Sequence, residues 1–201
     1  MSHFRHLILT RFNMRIEQCE PQDLDWLEHR FDIRPVYFCS VFDLAMVQAV
    51  ASEMARGFSH LITTRLDNDD AICGTFVDTV QRRFSGQDFQ FLNFTNGYIW
   101  KEGLLYPARH FSNPFVSLVE RAEKCSTVYC RNHVELDHVG PIEQVTDPAA
   151  WLQVVGGRNL SNDAWGITEE PRDLHEQFGI APGNFTAAAT AAPGGKIAPA
   201  A

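Results

Sequence analysis

The run Leu61 to Leu66 is apolar and β-prone, stops at Asp67, Asn68, Asp69 and Asp70, and then turns amphipathic. It reads as a buried strand that delivers carboxylates to a loop ahead of a helix, which confines the chain to folds in which strands and helices alternate. Three carboxylates within four residues repel one another, and a hard divalent cation with oxygen ligands is their natural stabiliser. Asp70, just ahead of the helical pattern Ile72, Phe76, Val77, Val80, Phe84, reads by itself as a helix N-cap. The pair Asp67 and Asp69 reads as the metal-holding part. An EF-hand is disfavoured, because counting from Asp67 puts Ala71 and Ile72 where an oxygen ligand and a glycine are required. An aspartyl-phosphate phosphatase fits poorly as well, since Ala71 stands where its Asp-x-Asp pattern continues with Thr. What remains is a paired-carboxylate loop that takes Mn2+ or Mg2+ together with a substrate bringing its own anionic oxygens, such as a diphosphate.

The rest of the chain extends the alternation. Phe4 to Phe12 has the near-continuous apolar character of a strand buried on both faces, with Arg11 and Asn13 at its carboxyl end. Pro21 to Phe31 is a short helical candidate and Val36 to Val41 a second strand. Leu44, Val47, Val50 and Met54 recur at helical spacing over Asp43 to Arg56, closed by Gly57. Ser59 to Leu66 is the third strand, Ile72 to Phe84 the helix after it, and Phe89 to Phe94 a further strand. This order predicts an α/β fold with a Rossmann-type, mostly parallel sheet flanked by helices, whose ligands sit outside the carboxyl ends of the strands. Beyond it, Gly97 to Trp100 and Leu104 to Tyr106 form a hairpin about a Lys-Glu-Gly turn, the start of an antiparallel portion. Val116 to Val119 and Ser126 to Cys130 read as strands, and Asp147-Pro148 opens a last helix through Trp151, Leu152 and Val155. Residues 1–181 are expected to be one domain, and 182–201, rich in Ala, Gly and Pro, a disordered tail.

A net charge of -8 argues against a nucleic-acid partner, because such proteins concentrate Lys and Arg. The five cysteines are odd in number and form no C-x-x-C, so they read as reduced thiols. No stretch approaches the roughly 20 apolar residues of a membrane helix. The expected place is the cytoplasm, either free or peripheral at the inner membrane face.

Leu9-Thr10-Arg11-Phe12-Asn13, Trp26-Leu27-Glu28-His29-Arg30-Phe31, Thr64-Arg65-Leu66-Asp67-Asn68-Asp69-Asp70-Ala71, Asn113-Pro114-Phe115 and Trp151-Leu152-Gln153-Val154-Val155 together resemble the putative rhamnosyltransferase family of bacterial glycosyltransferases, over roughly residues 4 to 166. The resemblance implies a GT-A-like fold and transfer of a sugar, nominally rhamnose, from a dTDP- or UDP-linked donor to a glycan or lipid-linked acceptor. It places Asp67 and Asp69 at the D-x-D position that holds the metal, with Asp67 also near the donor. Arg11 and Arg65 would offer guanidinium forks to the diphosphate, although Arg65 is as well placed to pair with the acidic loop. Thr10 and Asn13 would stand near the nucleotide base.

The chain departs from that pattern twice. Only Asp32 and Ile33 separate the Trp-Leu-Glu-x-Arg-Phe helix from the strand matching Arg34 to Phe38, where relatives carry another strand and helix. Gly156-Gly157 stands where relatives tend to have His-Gly, so metal affinity should fall unless water fills the place or His133 or His138 substitutes. An inverting transferase also needs a carboxylate base, and Glu102, Glu120, Glu135 and Asp137 are the candidates. Two rival readings stay open: a catalytically impaired relative that serves as a binding or assembly component, and a metal-dependent phosphatase or nucleotide hydrolase.

Overall fold

The computed structural model describes residues 4–11, 42–67, 69–146, 149–156 and 164–171. Strand β1 (Phe4–Arg11) is followed by helix α1 (Leu44–Met54), β2 (His60–Asp67), the two-residue β3 (Ala71–Ile72) and helix α2 (Phe76–Arg82). Then come β4 (Phe89–Phe94), β5 (Asn96–Lys101), β6 (Leu104–Arg109), β7 (Val116–Arg121), a 3-10 turn at His133–His138, β8 (Ile142–Val145) and β9 (Trp151–Val155). The expected helix at Pro21 to Phe31, the strand at Val36 to Val41, the short junction at Asp32 and Ile33, and the tail all lie outside the described residues.

A five-stranded sheet runs in the order β1-β2-β7-β4-β8. The pairs β1–β2 and β4–β8 are parallel, whereas β7 pairs antiparallel with both β2 and β4. Four strands therefore point one way and β7 alone runs back between them. The chain is α/β, and its main sheet mixes parallel and antiparallel pairs because β7 enters the middle in the opposite direction. Residues 60–64 of β2 are all buried, because apolar groups cover both sheet faces. On one side Leu7 and Leu61 meet Ala51 of α1 and its C-cap residue Ala55. On the other, Ile62, Leu92 and Val119 meet Phe76 and Val80 of α2 and the second sheet's Ile99 and Trp151. Asp43 starts α1 by accepting the backbone N–H of Ala45 at 2.9 Å, as its short carboxylate suits.

The second sheet has the order β3-β9-β5-β6. Its β5–β6 hairpin closes over Glu102 (φ 53°) and Gly103 (φ 82°), both in the left-handed region that two-residue hairpin turns demand. Here two expectations are corrected. Trp151 to Val155 is a strand and not a helix: it lies between β3 and β5, and the Trp151 indole packs directly over Gly97, leaving no room there for a side chain. Stacking on Phe115 at 5.0 Å and donation from Trp151 Nε1 to the Phe94 carbonyl at 2.7 Å fix the ring. The segment Ser126 to Cys130 is not a strand, because its donors are taken elsewhere. Glu120 accepts from the N–H of Ser126 and of Thr127, each at 2.8 Å, and Thr63 Oγ1 accepts from Val128 N–H at 2.8 Å. Cys125 and Thr127 adopt positive φ.

Candidate functional site

The parallel register of β1 and β2 sets Thr10 beside Leu66 and Arg11 beside Asp67, so the two carboxyl ends are level. Thr10 is exposed there; Asn13 lies outside the described residues. Asp67 is gripped by its neighbour: Arg65 Nη2 donates to Oδ2 at 3.0 Å and Nε to Oδ1 at 3.3 Å. The same guanidinium stands 5.7 Å from the centre of the Tyr129 ring, and the Tyr129 hydroxyl donates to the Leu9 carbonyl at 3.2 Å. Arg65 thus serves the acidic loop as its structural partner. At such partial exposure the pair adds only about 0–1 kcal/mol, yet the two-point fork fixes the carboxylate plane.

Asp69 is exposed, while Asp70 is turned inward. Asp70 Oδ1 accepts the Val154 backbone N–H at 2.9 Å, which ties the loop to β9. Burial, reinforced by the charges of Asp69 and Asp67, pushes its carboxyl up to about 7 even though the Val154 hydrogen bond pulls the other way. The expected helix cap is therefore corrected. Ala71 and Ile72 are consumed in β3, pairing with Leu152 and Trp151, so α2 starts only at Phe76, with Thr75 as its N-cap residue.

The histidines divide. His138 is exposed and stands 3.8 Å from Asp137. His133 is partly buried, its Nδ1 bonded to the Ser112 carbonyl at 2.6 Å. Burial lowers its pKa, and the charges of Arg65, His110 and Asp67 act on it as well, so its imidazole belongs to the surroundings of the acidic loop. No sequence signal marked Asp70 or Tyr129 for their roles, because their partners Val154 and Leu9 are 84 and 120 residues away.

The family whose members are described as putative rhamnosyl transferase matches residues 24–167, more than half of the 201-residue chain. The chain belongs to this family. No curated protein and no solved structure matches it.

The carboxylates outside the acidic loop have separate places. Glu120 is fully buried and spends both oxygens on the backbone of Ser126 and Thr127, so it braces a loop. Glu102 sits exposed in the hairpin turn, and Glu135 and Asp137 are exposed on the 3-10 turn. Among the described residues no three His, Cys, Asp or Glu side chains converge as a ready metal cage. Asp67 and Asp69 still suit a hard cation, since Mg2+ is commonly held by one or two carboxylates with water and substrate phosphates completing the shell.

Proposed function

We propose that this chain transfers a sugar, nominally rhamnose, from a dTDP- or UDP-linked donor to a glycan or lipid-linked acceptor, using Mn2+ or Mg2+ held by Asp67 and Asp69. One observation carries the reading beyond family membership: the acidic loop opens at the level carboxyl ends of two parallel strands, the edge at which α/β sheets take ligands. Asp69, exposed, would be the metal's more accessible ligand, and Asp67, oriented by Arg65, the second. The bound cation would neutralise charge that grows on the departing diphosphate. Thr10 and Arg11 would border the nucleotide on β1, and Asn13, outside the described residues, is the third candidate for that role. Arg65 has two uses open to it, the diphosphate or the Asp67 carboxylate it already holds. Asp70 would keep the loop against β9 while substrate comes and goes.

A second reading, that the fold survives as a binding component without turnover, draws support from the engagement of Asp67 by Arg65 and from Gly156 after β9. A thermal-unfolding scan separates the two. Mn2+ with thymidine or uridine diphosphate should raise the melting temperature of the wild type and not of Asp69→Ala; at a hundredfold excess over Kd the gain is about 2.7 kcal/mol. A transition that neither metal nor nucleotide moves would overturn the donor-site reading.

A further inference from the structure

The β5–β6 hairpin and the segment 164–171 enclose an open groove of about 290 Å3, lined by Asn96, Tyr98, Pro107, Arg109, Thr168 and Glu169 among others. Its construction follows from strand pairing. Asn96 stands opposite Arg109 and Tyr98 opposite Pro107, so these four side chains share one face of the hairpin. The segment is fastened along β6: Arg109 N–H donates to the Gly166 carbonyl at 2.8 Å, Thr168 N–H to the Pro107 carbonyl at 3.0 Å, and Ile167 bridges to Ala108. Gly166 has φ +79°, and a Cβ there would stand 2.4 Å from the Arg109 carbonyl oxygen, so only glycine lets the segment lie this close. The groove has a built wall and not a fraying edge.

Its chemistry is specific in kind. Arg109 Nε donates to Asn96 Oδ1 at 3.0 Å, which sets the guanidinium plane and leaves its terminal amino groups as donors. Glu169 brings an acceptor, Thr168 a hydroxyl and Tyr98 a half-buried ring. Among the described lining residues Arg109 and Glu169 bring charges of opposite sign, so a highly charged ligand of either sign meets a like charge there. An uncharged polyol suits it better, because sugar hydroxyls both donate and accept and the C–H face of a pyranose rests on an aromatic ring. The volume falls at the small end of ligand pockets, which run from about 300 to 1,000 Å3, and matches sugar rings sooner than a whole nucleotide sugar. Ala149 borders the groove ahead of β9, whereas Asp70 meets Val154 near the strand's far end. Across the sheet Tyr98 comes nearer, because it pairs with Leu152 and Leu152 pairs with Ala71 next to Asp70, so at about 4.8 Å per strand the groove wall stands on the order of 10 Å from the acidic loop.

We propose that this groove is a carbohydrate subsite, which binds a neutral stretch of a glycan acceptor at a distance from the acidic loop. The acceptor role rests on the transferase reading; carbohydrate binding in the groove does not. The test uses the full chain, fluorescently labelled, on an immobilised array of neutral and acidic bacterial oligosaccharides. Wild type should capture at least one neutral oligosaccharide, and Arg109→Gln and Glu169→Gln, both substitutions of exposed side chains, should each weaken that capture tenfold or more. Tyr98→Phe, which keeps the ring, should retain most of it, and Asp69→Ala should retain it in full. Capture of none of the array, capture of acidic oligosaccharides only, or capture indifferent to Arg109→Gln and Glu169→Gln would overturn the proposal. If capture persists while Mn2+ and nucleotide fail to shift the melting temperature, the groove stands and the donor-site reading falls.

Discussion

Asp70 sits where the acidic loop meets β9, and its carboxyl is held at about 7, mainly by burial and next by the adjacent carboxylates. Its pKa is higher in the folded than in the unfolded chain, so the folded protein keeps a proton that the unfolded chain releases near pH 4. The stability from this group is complete below that point and is lost as pH rises through about 7. Asp70→Asn keeps an acceptor for the Val154 N–H and abolishes the titration. Between pH 5 and pH 8, urea unfolding should show the wild type losing on the order of 1–3 kcal/mol relative to the variant; parallel profiles would show that ionising this group costs nothing. The spacing of Asp67 and Asp69 was legible in the sequence because it is local and chemical. Asp70 looked like a helix cap because its real partner, Val154, is far along the chain.

The elements that local pattern defined came out close to expectation: β1, β2, α1, β4 and the β5–β6 hairpin each carry their own periodicity, cap or turn. Those decided by distant partners did not. Val154 and Val155 favour a strand, but only Gly97 on β5 makes room for Trp151 beside them. Gly97→Ala would drive a methyl into the indole and cost about 1–3 kcal/mol or more, which a fall in melting temperature and a weaker near-ultraviolet signal from Trp151 would report. The segment after β7 escapes a strand because Glu120 and Thr63 capture its N–H groups. Glu120→Gln replaces one carboxylate oxygen with an amide that donates towards an N–H, leaving a buried donor unpaired at about 1–3 kcal/mol. The loop carrying Tyr129 should loosen as a result, seen as faster amide exchange at Ser126 to Val128; unchanged exchange would show that Glu120 does not brace it.

Across the whole molecule, one hydrogen-bonded chain links a helix to three strands of the main sheet. Gln81 of α2 lies 3.5 Å from His6 Nδ1 on β1, His6 Nε2 is 2.8 Å from Thr64 Oγ1 on β2, and Thr64 Oγ1 is 2.7 Å from Ser117 Oγ on β7. Such a chain suits a neutral imidazole that accepts from Gln81 and donates to Thr64. Burial lowers the His6 pKa to about 4. A depressed folded-state value means that its stability is present above about 6.5 and is lost as pH falls through about 4, because the unfolded chain takes up the proton first. His6 and Asp70 therefore pull in opposite directions over the same window, so in the wild type each masks part of the other's effect between about pH 4 and pH 6.5. Among the described residues the two groups share no hydrogen-bond partner, so their effects should add. Asp70→Asn alone should unmask a protein that weakens in acid by on the order of 2–3 kcal/mol, and His6→Gln alone one that weakens as pH rises through the same window. The double variant should lie between the two single variants in slope, and be less stable throughout for want of the His6 bonds. Urea midpoints for the four proteins at pH 4.5, 5.5 and 6.5 decide it: slopes of the same sign in both single variants would show that the two buried groups do not set the acid response of the fold.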